Sequence, residues 1–474
     1  MYIIDKKCQV FTPIDIVNKM LDEVGYTKNL YGKKFLENSC GDGRILCEAI
    51  KRYIHDCKSF NMNDNVIISG IESDFKGVEY NFDNYKKCVD SITSLLHSYG
   101  YYNVNLNIVN SDFLDLEFNE KFDYIVGNPP YISYANIDTK NREFIRKNFD
   151  SCKKGKFDYC YPFIEKSLKL LSKNGETAYL IPTNIYKNVF GKELREIIKD
   201  PVYKILDYTK EKIFKNVSTS SSIIFCKNSP GSFSSIDYQD IGNNYHVVID
   251  KKNLGEKWIF TNETKKKDIL FSDYYLAATS VATLLNEAFI IKEYEENSSH
   301  IIADGVFIEK DLIKPAASPK DLKVGLSSKI IFPYFYNDNK LQRIDEKTLI
   351  ENYPGAYSHL SKYRDKLNKR NSDKSSKWYE FGRSQALNNL NQKKLLLSFI
   401  VTNKIKIYHL NEEDIPYSGI YIIPKKDKDL DFAKMILESK DFLNYVKEIG
   451  INVSGSSLRI TANDIKNFDI SKWR

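Results

Sequence analysis

Apolar positions in the first half of the chain follow two alternating spacings. Runs of four to seven mostly apolar residues have the length and composition of buried strands. Between these runs, apolar residues recur every three or four positions, as at Val17, Met20, Leu21 and Val24, which is typical of one face of a helix. The predicted strands span residues 34–37, 65–71, 105–109, 122–126, 176–181, 202–207 and 221–226. This alternation predicts an α/β fold, a largely parallel sheet covered by helices on both faces.

The second half of the chain has a different pattern. A polar, turn-rich stretch, residues 227–235, follows the last of these strands and predicts a linker. Beyond it the alternation stops, and strand-like runs such as 329–334 and 395–401 are separated by basic, polar stretches. A chain of 474 residues is also too long for one typical core. We therefore expect two domains, residues 1–230 with the α/β fold and residues 236–474 with a mixed α+β fold.

Composition narrows the class of protein. Hydrophobic residues make up 42% and charged residues 28%, and no apolar run approaches the roughly 18 residues of a membrane span. The first residues do not resemble a secretory signal. The eight cysteines form no Cys-x-x-Cys pair, so we expect reduced thiols of a cytoplasmic protein and no metal site. A net charge of +7 permits a polyanionic partner without proving one.

Polar groups follow three successive predicted strands. Gly41 and Gly43 lie between the first strand and a helix, where glycine lets the backbone approach a ligand closely. Glu72 ends the second strand, where a carboxylate can accept hydrogen bonds from a ribose diol. Asp112 and Phe113 end the third, offering a carboxylate to an adenine amine and a ring to stack on it. Each alone is more often an ordinary turn, but together they indicate an adenosine site. Because no Lys-Ser/Thr follows the glycines, the pattern is not a phosphate-binding P-loop and favours S-adenosylmethionine.

A stiff turn ends the fourth predicted strand. Asn128-Pro-Pro-Tyr131 follows the apolar run directly, and two prolines cannot continue a central strand. The turn therefore holds an amide and an aromatic ring in fixed positions at the carboxyl end of the sheet, where ligands bind in open α/β folds. The tetrapeptide alone indicates only chemistry on a planar nitrogen.

With these motifs in this order, the chain resembles the gamma-class DNA adenine-N6 methyltransferases of restriction-modification systems. The resemblance covers the first 230 residues and implies a Rossmann-like methyltransferase fold with a mostly parallel seven-stranded sheet. It implies a site-specific, adenine-specific DNA methyltransferase that flips its target base out of the duplex. By the same resemblance, residues 236–474 are the target-recognition domain, and one departure is Asn38, where such enzymes commonly have proline.

The resemblance also implies roles for individual residues. Asn128 and Pro129 would accept hydrogen bonds from the adenine amine, and Tyr131 and Phe214 would hold the base. Cofactor contacts are implied for a further set of residues, which comprises Thr12, Glu37, Gly41, Gly43, Glu72, Asp112, Phe113 and Asn128. No metal and no covalent protein intermediate is implied.

A cluster of basic and aromatic residues in the second half suits a DNA phosphate surface. Such a run is usually only a solvated face, but its place behind a methyltransferase core favours DNA contact. The candidate DNA-binding residues are Lys369, Arg370, Lys374, Lys377, Trp378 and Arg383.

Three other functions are weighed against this one. Asn-Pro-Pro-Tyr also occurs in enzymes that methylate ribosomal RNA guanine amines or protein glutamine, but these are usually shorter. A fused nuclease is disfavoured because no convincing nuclease motif is present, and a dead DNA-binding module because every expected catalytic position is filled. We expect a monomer bound to double-stranded DNA in the cytoplasm, associated with the nucleoid. The sequence leaves open whether a cognate restriction endonuclease is encoded separately or the enzyme is solitary.

Overall fold

The computed structural model describes residues 11–211, 213–214, 220–229, 231–261, 268–338, 340–425, 428–454 and 457–473. The chain divides into two compact units, Met1–Thr264 and Lys265–Arg474. The boundary thus lies beyond the predicted linker at residues 227–235, because two further strands follow that linker and pair within the first unit.

The first unit has nine strands and seven α-helices among its described residues. The strands are β1 (Phe35–Glu37), β2 (Phe75–Glu79), β3 (Ile108–Asn110), β4 (Phe122–Gly127), β5 (Leu171–Pro182), β6 (Val202–Asp207), β7 (Ser221–Lys227), β8 (Ser235–Asp240) and β9 (Tyr245–Asp250). The helices are α1 (Ile14–Glu23), α2 (Arg44–Ser59), α3 (Asp64–Asp74), α4 (Phe82–Ser98), α5 (Thr139–Asn148), α6 (Cys160–Leu170) and α7 (Lys192–Lys199).

These strands form one mixed sheet in the order β3-β2-β1-β4-β5-β7-β6-β8-β9. Strands β3, β2, β1, β4 and β5 pair in parallel, whereas β7 runs antiparallel to both β5 and β6. The predicted Rossmann-like methyltransferase fold is confirmed. The sheet has nine strands where seven were predicted, because β8 pairs in parallel with β6 and β9 extends the edge.

Helices cover both faces of this sheet. Neighbouring strand residues point to opposite sides, so that Phe35 and Val126 pack with α1 to α4 while Leu36 and Ile125 pack with α5 to α7. This alternation is the two-residue period of a strand buried on both faces. The carboxyl ends of β1 to β4 therefore emerge together between the two helical layers.

One predicted strand is a helix. Residues 65–71 lie within α3, whose first turn is capped by the Asn63 side chain accepting from the Val66 amide at 3.0 Å. The buried positions Ile67, Gly70, Ile71 and Asp74 have helical spacing, although the Val/Ile-rich composition favours a strand. The second strand is β2, and Glu72 lies on α3 rather than at a strand end.

The second unit combines small sheets with short helices, which confirms the mixed α+β prediction. Its sheets have the orders β10-β23-β19-β21, β11-β16-β15-β22, β12-β13-β14, β17-β18 and β20-β25-β24. The strands are β10 (Tyr275–Thr279), β11 (Ile290–Ile291), β12 (Glu295–Glu296), β13 (His300–Ala303), β14 (Val306–Glu309), β15 (Ile313–Ala317), β16 (Ser328–Ile331), β17 (Tyr334–Asn337), β18 (Lys340–Arg343), β19 (Lys394–Leu397), β20 (Ile400–Val401), β21 (Ile407–Leu410), β22 (Ile415–Pro416), β23 (Ile420–Pro424), β24 (Ile451–Ser454) and β25 (Ser457–Arg459). The helices are α8 (Phe271–Tyr274), α9 (Asn286–Phe289), α10 (Pro319–Lys323), α11 (Glu346–Asn352), α12 (Pro354–Ser361), α13 (Arg364–Asn368), α14 (Leu430–Leu437), α15 (Lys440–Ile449) and α16 (Ala462–Lys466).

The sequence expectations about membrane spans and cysteines can be compared with the described residues. Among them, no helix is both long and apolar enough to cross a bilayer. The seven described cysteines are free thiols, and Cys8 lies outside the described residues.

The start of α2 generates a stability prediction. Gly43 has φ +86°, and a Cβ there would lie 2.9 Å from the Cys88 Sγ, whereas Gly100 has φ +80° and no atom within 4 Å. Gly100→Ala should therefore cost only backbone strain, about 1–2 kcal/mol. Gly43→Ala should cost a further ~1–3 kcal/mol from overpacking against Cys88. Urea unfolding followed by circular dichroism measures both, and equal losses would show that the Cys88 contact does not matter.

Candidate active site

A cavity of about 390 Å³ lies at the carboxyl ends of β1 to β4 in the first unit. It brings together eight of the residues predicted from the sequence, which are Thr12, Glu37, Gly41, Asp112, Phe113, Asn128, Pro129 and Tyr131. Motifs separated by more than a hundred residues of sequence thus share one wall of one cavity.

The glycine loop after β1 is tied to the end of β2. Gly41 donates its backbone N–H to the Glu79 carboxylate at 2.8 Å, and Asn81 donates to the other oxygen at 2.7 Å. Gly41 has φ +55°, and a Cβ there would lie 3.2 Å from the Phe11 ring, so the loop has no room for a side chain. Burial raises the pKa of Glu79, against the lowering effect of these hydrogen bonds. The strand-end carboxylate of this cavity is therefore Glu79.

Glu37 ends β1 and is only 2% exposed. Its carboxylate accepts the backbone N–H of Leu46, in the first turn of α2, at 3.1 Å. Burial raises the pKa of Glu37 well above its usual range. A helix N-terminus stabilises negative charge, so this arrangement holds one carboxyl group at the inner wall of the cavity.

The loop after β3 presents a carboxyl group and a ring. Asp112 accepts from the Leu114 amide and from the Tyr159 hydroxyl, both at 2.9 Å. Burial raises the pKa of Asp112. Lys166 fixes the loop by donating to the Phe113 and Leu114 carbonyls at 2.7 and 3.0 Å.

The stiff turn after β4 lies on the opposite side of the glycine loop. The Asn128 amide nitrogen donates to the Thr12 hydroxyl at 3.3 Å, which fixes the orientation of the amide. The Asn128 carbonyl accepts from the Ser39 hydroxyl at 3.0 Å. The Tyr131 hydroxyl donates to the Leu180 carbonyl on β5 at 2.7 Å, so the ring is anchored at its far end. Thr12 therefore contacts the turn and does not cap α1, whose N-cap is Pro13.

Asn38 occupies the place where proline was expected. Its amide nitrogen donates to the Ser167 hydroxyl at 3.0 Å and to the Tyr179 hydroxyl, and these two hydroxyls are 2.6 Å apart. A Cβ on Gly127 would lie 3.1 Å from the Asn38 amide oxygen and from the Tyr179 ring, so a larger residue before the Asn128 turn would press on both buried side chains. Buried hydrogen bonds to β5 and α6 thus fix the start of the glycine loop.

The ionisable side chains around the cavity are mostly carboxyl groups. Five of its described lining residues are acidic, namely Glu37, Asp42, Glu79, Asp112 and Asp138. Arg44 is the basic residue among them, and it pairs with Asp42 at 2.9 Å. Such a cavity repels phosphate groups and favours a nucleoside that carries positive charge.

Three predicted site residues lie outside the described lining of the cavity. Gly43 starts α2 against Cys88, and Glu72 accepts the Asn105 amide at 2.8 Å on the surface of α3. Phe214 is 7% exposed and packs in the core beneath α1 and α2. The predicted placement of Glu72 at a strand end was wrong, because Glu72 lies on α3. The carboxylate that the prediction missed is Glu79, and the sequence signal for it is Asn81 two residues later, which caps the next helix.

Additional aromatic lining residues were not predicted from the sequence. Tyr80 follows Glu79, and Tyr159 contacts Asp112 from a segment thirty residues beyond the Asn128 turn. No local motif marks Tyr159, because its contact depends on how α6 packs against the loop that follows β3. Among the described residues, no cluster of His, Cys, Asp and Glu could hold a metal ion.

In the second unit, Arg370 is not a surface residue. Its half-buried guanidinium donates to the backbone carbonyls of Thr283, Trp378 and Glu380, the latter two at 2.7 and 3.0 Å. Burial lowers its pKa. Arg370 therefore connects segments within the unit and does not fit the predicted phosphate contact.

The other candidate DNA-binding residues differ in how far they are engaged. Arg383 pairs with Asp373 at 2.8 Å, and the Trp378 indole donates to Glu346 at 2.9 Å. The three exposed lysines of the set are Lys369, Lys374 and Lys377. These lysines are the part of the predicted surface that the geometry leaves accessible.

Comparison with known proteins finds relatives of the first unit. Residues 29–214 match the Eco57I restriction-modification methylase family, and the chain is similar to that family over this stretch. It is 25% identical to the Type II methyltransferase M.BstVI of Geobacillus stearothermophilus over 96% of this chain and 88% of that protein. It is 27% identical to the Type II restriction enzyme and methyltransferase RM.Eco57I of Escherichia coli over 64% of this chain, spanning about a third (34%) of that protein.

Solved structures show the same fold. The Type IIL restriction-modification enzyme MmeI in complex with DNA superposes with a TM-score of 0.61 and 13% identity, over 96% of this chain and 65% of that chain. The DrdV–DNA complex gives a TM-score of 0.51 and 13% identity, over 92% and 53% respectively. The likeness in fold extends over residues of both units.

Asp158, which precedes Tyr159, generates a pH prediction. Burial raises the pKa of this carboxyl to about 6 from 3.8. Between about pH 4 and 6 the unfolded chain binds fewer protons than the folded chain, so the free energy of unfolding should fall as pH rises, by on the order of 3 kcal/mol. Asp158→Asn should flatten this slope in urea unfolding between pH 4 and 7. Asp90→Asn on α4 is the control, and a wild-type slope in Asp158→Asn would contradict the assignment.

Proposed function

We propose that the chain is an S-adenosylmethionine-dependent DNA methyltransferase that modifies the N6 amine of a flipped-out adenine. In this proposal it is the modification enzyme of a restriction-modification system. The observation that carries the proposal is the shared cavity: the Asn128–Tyr131 turn faces a pocket whose carboxyl groups suit a cationic nucleoside. The methylase family of the first unit supports it.

The cavity fits S-adenosylmethionine by its donor set. The Glu79 carboxylate suits the ribose diol, and Asp112 with Phe113 suits the adenine amine and ring. Glu37 suits the positively charged ammonium of the methionine part. Gly41 and the Phe11 ring packed beside it both line the cavity, so this part of the loop would lie next to the bound cofactor. A dinucleotide or nucleoside triphosphate would instead meet five carboxyl groups with its phosphates.

When bound, S-adenosylmethionine supplies an electrophilic methyl group on a sulfonium. The adenine amine is a weak nucleophile because its lone pair is delocalised into the ring. The Asn128 amide oxygen and the Pro129 carbonyl would accept hydrogen bonds from its two protons, which localises the lone pair on nitrogen. Because two prolines fix φ after Asn128 and the Thr12 contact orients its amide, these acceptors need little reorganisation.

The amine of a paired adenine is out of reach, so the base must leave the duplex. Tyr131 would stack on it, with its ring anchored by the bond to Leu180, and such stacking contributes roughly 1–3 kcal/mol. Phe214 would be a second stacking residue by the family resemblance alone, because it lies outside the described lining of the cavity. The second unit, Lys265–Arg474, would then supply target recognition, with Lys369, Lys374 and Lys377 as phosphate contacts.

A matched pair of variants tests the cofactor assignment. Glu79→Gln removes the charge at the β2 end and weakens the acceptor for Gly41, whereas Glu72→Gln makes the same change on α3. Charged hydrogen bonds contribute about 1.5–3 kcal/mol, so Glu79→Gln should weaken S-adenosylmethionine binding about tenfold or more. Glu72→Gln should bind within twofold of the wild type. Isothermal titration calorimetry measures both, and the reverse order would restore Glu72 as the ribose ligand.

Removal of the amide tests the reaction itself. Asn128→Ala should abolish methyl transfer to DNA while S-adenosylmethionine affinity stays within a few-fold, because the lost acceptor faces the target amine. Wild type and variant are incubated with labelled S-adenosylmethionine and duplex DNA, ribosomal RNA or a release factor. Mass spectrometry of the hydrolysed DNA should find N6-methyladenine. Undiminished turnover in the variant, or label only in RNA or protein, would reject the proposal.

A further inference from the structure

A basic segment of the first unit follows the cavity lining directly. Residues 139–157 come after Asn136, Ile137 and Asp138, which line the cavity. These nineteen residues contain seven lysines and arginines against two acidic residues, Glu143 and Asp150. Their net charge of +5 compares with +7 for all 474 residues, so positive charge is concentrated beside an acidic pocket.

The two arginines of this segment hold it in shape. Arg142 donates to the Ala135 carbonyl at 2.9 Å and lies 4.5 Å above the Tyr134 ring. Arg146 donates to the Lys153 and Gly155 carbonyls, both at 3.0 Å. The end of α5 is therefore fastened to the loop that follows it, and these guanidinium groups serve the fold of the segment.

Its lysines, in contrast, are presented to solvent. Lys140, Lys147 and Lys156 are exposed. On α5, Lys140, Phe144 and Lys147 are spaced by four and three residues and share one face, where Phe144 is 37% exposed. The two lysines are about 10 Å apart along the helix axis, far enough to contact separate phosphates of one strand.

The loop after β5 adds apolar surface beside these lysines. Val189 is 59% exposed and Phe190 is 37% exposed. The Phe190 ring packs against Gly155, since a Cβ there would lie 2.3 Å from a ring carbon. Because β5 pairs in parallel with β4, this loop emerges at the same edge of the sheet as the Asn128 turn.

We propose that the α5 face formed by Lys140, Phe144 and Lys147, together with Lys156 in the loop fastened to the end of α5, binds the DNA backbone next to the flipped nucleotide. The inference rests on the proposed function and adds a phosphate-binding surface on the catalytic unit itself. Continuity with the cavity through Asn136–Asp138 favours DNA, because a strand whose base enters the cavity must carry its neighbouring phosphates past this rim. Phosphate contacts of this kind set position and register without reading sequence.

Salt-dependent binding tests the surface. The probe is a 30-base-pair duplex of arbitrary sequence, and the variant is Lys140→Gln/Lys147→Gln/Lys156→Gln. Log affinity falls with log salt, and each lost phosphate contact reduces the steepness of that fall by about 0.9. The slope of the triple variant should therefore be shallower by about 2.7 in all. S-adenosylmethionine affinity should be unchanged, because none of the three lysines lines the cavity.

Two matched variants control for bulk charge and folding. Lys28→Gln/Lys33→Gln/Lys173→Gln removes the same charge from exposed positions near the amino ends of β1 and β5, and should keep the wild-type slope. Lys140→Arg/Lys147→Arg/Lys156→Arg should also keep it, which excludes a general disturbance of α5.

The outcomes separate this surface from the proposed function. A wild-type slope in the glutamine triple, or an equal loss in the control triple, overturns the surface while DNA methylation by the wild type leaves the function standing. If the glutamine triple variant has a shallower slope than the wild type with duplex RNA but not with duplex DNA, the surface is also overturned. If the wild type neither binds nor methylates duplex DNA, the proposed function fails first and the surface fails with it.

Discussion

The hydrogen bond from the Gly41 amide to the Glu79 carboxylate is the constraint on which the candidate site depends. Parallel pairing of β1 and β2 places Glu37 opposite Gly77, so Glu79 lies two residues further, level with the glycine loop. A charged acceptor then fixes a loop that carries positive φ at Gly41. The same register places Glu37 at the start of α2. The loop and both carboxyl groups are therefore positioned by one strand register, and a change in that register would remove all three from the cavity.

Asn38 shows how this chain fixes the other end of that loop without the expected proline. A proline would restrict φ, whereas Asn38 is held through its side chain by Ser167 on α6 and Tyr179 on β5. The cost is one buried amide oxygen with no partner among the described residues. That oxygen lies against Gly127, so the loop and the Asn128 turn are fitted to each other directly. The loop after β1 and the Asn128 turn are thus held together by this packing at Gly127 and by the hydrogen bond from the Ser39 hydroxyl to the Asn128 carbonyl.

Local chemistry explains which parts could be predicted from the sequence. The Asn128 turn and the Asp112-Phe113 pair are short motifs whose geometry is set by adjacent residues, and the structure brings them into one cavity. The prediction for Glu72 was wrong because the Val/Ile-rich run before it has the composition of a strand. The run forms a helix instead, since its buried residues lie on one helical face. The first unit extends beyond the predicted linker because β8 pairs with β6, and such non-local pairing leaves no signal in the local sequence. The burial of Arg370 could not be predicted from its neighbours in sequence, because one of the carbonyls that it binds belongs to Thr283, 87 residues away.

Opposite charges are separated within one unit at the carboxyl edge of the sheet. The cavity gathers five carboxyl groups, and the adjoining segment 139–157 carries a net +5. A cationic cofactor and a polyanionic duplex bear opposite charges, and a surface of uniform sign would repel one of them. Separation allows both to be attracted to neighbouring places, which the transfer of a group between them requires. The acidic pocket would also oppose entry of backbone phosphates, so that a neutral base alone has electrostatic reason to pass from the basic rim into the cavity.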